Sequence, residues 1–481
     1  MSVKNNIFYN VILAISQVLF PLITFPYLAR VLEPNHIGVL NFAESIAKYF
    51  TMLSALGIPI YGIREIAKIK DQPKELSRTF SEILIIHVVS NLFSLVLFFI
   101  LIYSSNTINI EKTLFNWTLV YFFLQVFYLE WFFNGINQFK FIAIRQFIVR
   151  VFFIALIFIL IKQKTDYIKY MQMQVGLAIL IVVINIRQVF KYINFNKENI
   201  SGLSFKKHIK PIFYLFLTIF SISIYFSLDT IFLGFLSNNE SVGFYSTALK
   251  LVKLIIAVLG AITVALFPSL VELYHKDEKD KFAKAIKDCF FVLISISIPL
   301  ALLIGLNAHD IVFILFGENY ERSVLPLQIT SAMIVIVSMS SIFGFQVLNA
   351  LSKDKSILIS AVFGMLISLV LSFWLIPLYR ENGEAITILI TELTVSISFI
   401  YFSYKYFPIQ GLSKIFIEQL VAAIPYIFIV LFAQYFISLI SIRICLIAIL
   451  STSWFLILHF KVLRDNLFKN QFDIIYSKIF N

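Results

Sequence analysis

The sequence predicts an all-α polytopic membrane protein of about fourteen transmembrane helices, and three observations predict it. Of its 481 residues, 60% are hydrophobic and 14% charged, whereas a soluble domain is near 45–50% apolar and about 25% charged. Mean hydropathy is +0.90. Apolar runs of about twenty residues recur from one end to the other, the length a helix needs to cross roughly 30 Å of hydrocarbon. Together these exclude a soluble enzyme, a secreted disulfide scaffold and a disordered chain. An outer-membrane barrel is excluded too, because its strands alternate polar and apolar residues over roughly ten positions.

The first run, 6–27, follows Lys4 and has no small-residue cleavage site, so it is expected to persist as the first helix. Arg30 and the polar stretch Glu33-Pro34-Asn35-His36 close it, and the second run takes 37–60. Arg64, Lys68, Lys70, Lys74 and Arg78 separate that run from the third, 80–103. Lys112 precedes the fourth, 113–133, and Lys140 the fifth, 141–161. Lys162, Lys164 and Lys169 border the sixth, 167–190. A basic stretch with Lys191, Lys197, Lys206 and Lys207 leads to the seventh, 211–236, and Ser237-Asn238-Asn239-Glu240-Ser241 to the eighth, 242–270. Lys276, Lys279 and Lys281 precede the ninth, 285–306, and the tenth is 324–349. Arg380 divides the eleventh, 356–378, from the twelfth, 385–406; the thirteenth and fourteenth, 419–440 and 442–460, are nearly fused. The stretches between runs never exceed about twenty residues, so no separate soluble domain is expected.

Loop charge sets the orientation. Alternate loops, counting both termini, carry 26 basic residues against 8 on the opposite side. Positive-inside bias therefore puts both termini in the cytoplasm. In a membrane chain the net charge of +12 reflects these loops, and no nucleic acid is expected as a partner.

An internal repeat is visible. Placing Gly38 on Gly243 also brings Ala43 onto Ala248 and Lys48 onto Lys253, each copy following a short polar loop. Six helices separate the copies, an even number, so the halves enter the membrane in the same direction as parallel repeats. The expected organisation is a six-helix lobe over 1–205, a second over 206–410, and two extra helices with a cytoplasmic tail over 411–481. Two lobes enclosing a midplane cavity are a transporter plan.

A charge at the bilayer centre costs about 2.5–3.5 kcal/mol or more, so such residues face a wet interior or a partner. Lys48 and Lys253 lie about eleven residues into their helices, roughly 16 Å deep. Lys250 precedes Lys253 by three and shares its face, where like charges repel and an anion would relieve them. The alternative is pairing with acids on neighbouring helices. Lys48 has such an acid in Glu44, one turn earlier, and reads equally as an ion pair or a substrate contact. Arg145 is near enough to the cytoplasmic side to snorkel, and Arg150 lies deeper; the arginine fork suits phosphate. Asp229 is either a proton or sodium coupling site or the counter-ion of a lysine. Glu392 is similarly deep, Glu130 reads as a hydrated or capping residue at a helix end, and His87 as a hydrogen-bonded packing residue.

Phosphate loops and metal sites are not expected. No two of the 15 glycines are spaced G-x-G, the six histidines are scattered, and Cys289 and Cys445 form no motif. Neither a cofactor nor a catalytic set is expected, and any phosphate must be held by side chains.

Several stretches together resemble the Wzx-type O-antigen and polysaccharide flippases of the multidrug/oligosaccharidyl-lipid/polysaccharide exporter superfamily. They are Phe25-Pro26-Tyr27-Leu28-Ala29-Arg30, Tyr61-Gly62-Ile63-Arg64-Glu65-Ile66-Ala67, Trp131-Phe132-Phe133-Asn134-Gly135, Leu228-Asp229 and Val242-Gly243-Phe244-Tyr245. Further matches are Leu315-Phe316-Gly317 and Val347-Leu348-Asn349-Ala350. Asp229 and Lys250 fall on family-like positions, whereas Lys48 and Lys253 rest on the repeat. The resemblance implies a flippase, not an enzyme. Its cargo would be an undecaprenyl-diphosphate-linked oligosaccharide, such as an O-antigen repeat unit, moved from the cytoplasmic to the periplasmic leaflet by alternating access. Expected partners are that lipid-linked oligosaccharide, membrane lipid and polysaccharide polymerase machinery. Lipid-II flippases carry an arginine-rich first span; here Arg30 at the helix end is the one candidate, which argues against lipid II as cargo. The rivals are a multidrug/cation antiporter of the same superfamily, which would want acidic cavity residues, and a membrane-embedded polymerase or glycosyltransferase, which would want a large periplasmic loop.

Overall fold

The structure is a computed structural model that describes the backbone of residues 3–196 and 202–458. Within those ranges side chains are described from residue 19 onward, apart from 107, 109 and 218–227. Lys197 and the tail bearing Lys461, Arg464, Lys469 and Lys478 lie outside the described residues, as does the side chain of Lys4.

A helix satisfies its own backbone in lipid, and the structure is 89% helical, with no strand among the described residues. Nine of the described helices are long and apolar enough to cross a membrane, or ten with the bent pair 19–55 and 58–69. The chain divides into two compact units, residues 1–246 and 247–481.

In the first unit α1 (Val3–Ala55) is interrupted at Glu33, at φ 63° and ψ 166°. Pro34 explains the break: it offers no N–H and disfavours helical geometry in the residue before it. The ring pairs fix the direction of each half. Phe20 meets Phe147 and Tyr27 meets Phe158, so the first half runs parallel to α6 (Phe139–Leu160). Phe153 meets Tyr170 and Arg145 reaches Asn185, so α6 is antiparallel to α7 (Tyr167–Val189). His36 meets Tyr167, and Glu44 meets Gln174, so the second half follows α7. The two halves of α1 are therefore antiparallel, as the polar stretch at 33–36 predicts.

Between them the chain forms α2 (Ile58–Ile69), α3 (Pro73–Ser104), α4 (Lys112–Leu124) and α5 (Glu130–Gly135). Gly62 lies against the Trp131 indole and Gly135 against Ile66, so two of the stretches singled out in the sequence pack on each other. Phe80 stacks on Trp131 at 5.6 Å in the same aromatic core.

The unit continues past residue 205, through α8 (Lys206–Ser227) and α9 (Asp229–Leu236) into the start of α10 (Asn239–His275). The reason is local bonding. Glu82 of α3 is fully buried and accepts from Ser204 N (2.7 Å), Lys207 Nζ and His208 Nε2 (both 2.8 Å), and Arg78 Nε (3.3 Å). His208 Nδ1 is 2.6 Å from the Tyr61 hydroxyl.

The repeat glycines meet in space. A Cβ on Gly38 would overlap the Asn239 carbonyl, and one on Gly243 would overlap the Pro34 carbonyl. Asn41 Nδ2 donates to Ser246 Oγ at 2.7 Å, a pair 205 positions apart. All three contacts obey that one offset, so the crossing of 34–41 with 239–246 has local two-fold character.

In the second unit α10 is followed by α11 (Lys279–Leu306) and α12 (Ala308–Phe316). Then come α13 (Val324–Ser331), α14 (Met333–Ser340) and the π-helical segment Ser341–Leu348. Helix α15 (Asp354–Tyr406) leaves helical geometry at Arg380 (φ 50°, ψ −123°). Ser360 and Ser398 hydroxyls are 2.6 Å apart and Ser372 donates to Glu384 at 3.1 Å, whereas 38 residues of straight helix would span roughly 57 Å. Residues 354–379 and 381–406 thus form a hairpin, as the charge at 380 predicts. Helices α16 (Leu412–Phe436) and α17 (Ile440–Ile457) attach to the same unit. Gln434 donates to the Leu306 carbonyl at 3.0 Å, and Arg443 clamps Asp310 at 2.6 and 2.5 Å.

Candidate functional site

Within the first unit a cavity of about 360 Å³ opens among the second half of α1, α4 and α7. Its wall gathers polar side chains from three apolar helices. Asn41, Glu44, Lys48 and Thr51 come from α1, one helical face at spacings of three or four. Thr118, Tyr121 and Gln125 come from α4 and its extension, and Gln174 from α7. Gln174 Nε2 donates to Glu44 at 2.9 Å, and the Thr51 hydroxyl is within 3.2 Å of Gln125 Oε1. Lys48 is exposed, although its helix position is deep. Hydroxyls, amides, one cation and one carboxylate around a space of this volume can bind a polyhydroxyl or an ion and can hydrate a charged group. The structure therefore brings Lys48 and Glu44 to one site, on successive turns of α1 along a polar wall.

Arg145 is elsewhere. It is 5% exposed, ion-paired to Glu130 at 3.1 Å and bonded to Asn185, with its guanidinium over the Phe141 ring at 5.6 Å. Gln146 adds a 2.6 Å bond to Glu130. The expected snorkelling does not occur, because a carboxylate, an amide and a ring are closer than water. Arg150, one turn deeper, is half-buried on the same helix. Asp229 is 5% exposed at the start of α9; the Tyr245 hydroxyl donates to it at 2.9 Å and the Thr230 amide at 2.7 Å. In the second unit Lys250 is half-buried and Lys253 exposed on one face of α10. Glu392 is 7% exposed. His87 is buried and its Nδ1 makes no hydrogen bond, so it packs without the partner expected of it.

The sequence reading passed over Glu82, whose position inside an apolar run four residues after Arg78 is the signal that marks it. The uncharged cavity residues Thr118, Tyr121, Gln125 and Gln174 carry no such signal, since each is an ordinary polar interruption of a membrane helix. No group of metal-ligating side chains occurs among the described residues.

Residues 3–274 match the polysaccharide biosynthesis protein family, and 215–374 match MatE. A protein of Escherichia coli (strain K12) named as an O-antigen transporter is 27% identical over 406 residues, covering 82% of this chain and 95% of that one. A like-named protein of Shigella dysenteriae is 26% identical over 400 residues, covering 82% and 98%. Among solved structures, the lipid II flippase MurJ in an inward closed conformation superposes with a TM-score of 0.71 at 17% identity, over 95% of this chain and 100% of that one. An inward-facing multidrug resistance MATE family transporter gives 0.63 at 13% identity, over 85% and 99%. These structures share the fold. With more than half its length matched, the chain belongs to the polysaccharide biosynthesis protein family.

Proposed function

We propose that this protein is a flippase that carries a lipid-linked polysaccharide precursor across the bacterial cytoplasmic membrane by alternating access. The observation that carries the reading is the polar cavity around Lys48 and Glu44, set among helices that are otherwise apolar. The names of the E. coli and Shigella relatives support an O-antigen-type cargo, and the likeness to MurJ supports the fold. In this reading the carrier is undecaprenyl diphosphate, its tail stays in lipid and its sugar head takes the wet path. Both termini are cytoplasmic, the chain crosses fourteen times, and lobes 1–205 and 206–410 are followed by the extra helices of 411–481.

Lys48, Lys250, Lys253 and Arg150 attract the diphosphate. Asp229 and Glu44 serve as coupling or counter-ion groups, and a polymerase receives the product. An inside-negative potential favours outward movement of an anion by about 2.3 kcal/mol per charge per 100 mV.

The test is reconstitution. Purified protein in liposomes should expose a fluorescent polyprenyl-diphosphate sugar in the second leaflet at a rate proportional to protein. Absence of protein-dependent exchange, with accumulation of a cationic dye instead, would replace the flippase by an antiporter.

A further inference from the structure

At the end of the second unit opposite its lysine-rich loops, two adjoining cavities of about 280 Å³ each share His309, Glu321 and Val324. Each has room for roughly nine waters at liquid density, too much for a lone ion. The polar wall is short of donors. Arg322 Nε and Nη2 both close on the same oxygen of Glu381, at 2.9 and 2.7 Å. The other oxygen of that carboxylate, on a residue 3% exposed, has no hydrogen-bond partner, and neither does Asn382 Oδ1 beside it. Glu318 and Glu321 add exposed carboxylates. The groove also holds two near-parallel rings: His309, which lines both cavities, and Phe313, which lines one, lie 8° from parallel with centroids 6.5 Å apart, and Phe313 is 38% exposed.

The chemistry selects its ligand. Three carboxylates, one of them already holding the arginine, repel an anion. No set of ligands for a metal exists among the described residues. A lipid tail would leave buried acceptors unmet. Hydroxyl groups supply the missing donors, and the C–H face of a sugar ring packs on the electron-rich face of an aromatic. We infer that this groove is a carbohydrate-binding site, which, on the flippase reading above, holds the glycan head on the exit side while its lipid carrier is still in the membrane. Two contiguous cavities suit two successive sugar units.

The experiment uses the full-length protein in a strain where it restores surface polysaccharide, with p-benzoylphenylalanine in place of Leu325, which is 48% exposed at the groove. Irradiation should give an adduct carrying the strain's own glycan, detected by antibody to the polysaccharide and by intact mass. The same probe in place of Tyr435, exposed on α16 outside the groove, should give none. Phe313→Ala and Glu321→Gln, both at exposed positions, should lower the Leu325 adduct roughly three- to tenfold at unchanged protein level, the factor a ring contact is worth. Phospholipid adducts alone, or glycan adducts indifferent to both substitutions, would overturn the site. No glycan adduct in cells whose polysaccharide is restored overturns the site and leaves the flippase reading standing. A protein that restores no polysaccharide overturns that reading and the site with it.

Discussion

Arg145 and Lys48 begin alike. Each lies in a helix of the first unit beside an acid and an amide, Arg145 with Glu130 and Asn185, Lys48 with Glu44 and Gln174. They end in opposite surroundings. The guanidinium is closed off by its carboxylate, its amide and the Phe141 ring, whereas the ammonium stands on the wall of an open cavity. A charge that is dry and paired holds helices in register, and removing its partner exposes the full desolvation penalty. A charge on the polar wall of a cavity keeps part of its solvation and costs less to hold. Depth in the membrane does not separate the two cases; the neighbours on the next helices do.

The comparison can be broken by substitution. The largest effect is expected from charge reversal on the lysine-bearing face of α10. Lys250→Glu/Lys253→Glu should lower transport below about a hundredth of wild type, since a close charge pair is worth ~4 kcal/mol at an effective dielectric of 20 and its sign is inverted. Membrane-inserted protein should be unchanged, and Lys→Arg should keep most of the activity. Full restoration of surface polysaccharide by the double reversal would remove the cationic-path idea.

Next is the dry pair. Glu130→Ala strands a buried guanidinium and should destabilise by about 3–5 kcal/mol, read as loss of monodisperse protein on heating in detergent. Arg145→Met should cost less, because Glu130 is 42% exposed and can rehydrate. Equal losses would mean that Glu130 does not rehydrate when its partner is removed.

A smaller loss is expected at the helix crossing. Gly38→Val or Gly243→Val pushes a side chain into a backbone carbonyl and should cost about 1–3 kcal/mol. The double substitution should fall short of the sum, because the two sites lie at one helix crossing and a single shift relieves both. Strict additivity in thermal unfolding would deny the shared crossing. Smallest in stability are the two charges lining the cavity: Glu44→Gln and Lys48→Ala should shift folding by no more than about 0.5 kcal/mol. Their effect should appear in the transport rate instead, a split that polysaccharide restoration scored beside membrane protein level will register.

Much of this was legible in the residues. The turns at Glu33 and Arg380 are announced by Pro34 and by a lone arginine between apolar runs. The depth of Lys48, Lys250 and Lys253 follows from counting along a helix. What escaped was everything that depends on who stands opposite. Glu82 finds Ser204, Lys207 and His208 more than 120 positions away, and Arg145 finds Asn185 across 40. The groove at His309 escaped for the same reason, since His309 and Glu321 come from the stretch between α11 and α13 and Glu381 from the turn of α15. A hydropathy pattern fixes which segments enter lipid, not which faces meet.

The Asn41–Ser246 bond has a consequence of its own. In a symmetric dimer a residue on the two-fold axis meets its own copy, so a hydrogen bond there must be made between identical side chains. Here the two partners occupy equivalent places in one chain and are free to differ. An amide donates and a hydroxyl accepts, so the chain itself fixes which side of the axis is the donor and each side can be tuned separately by mutation.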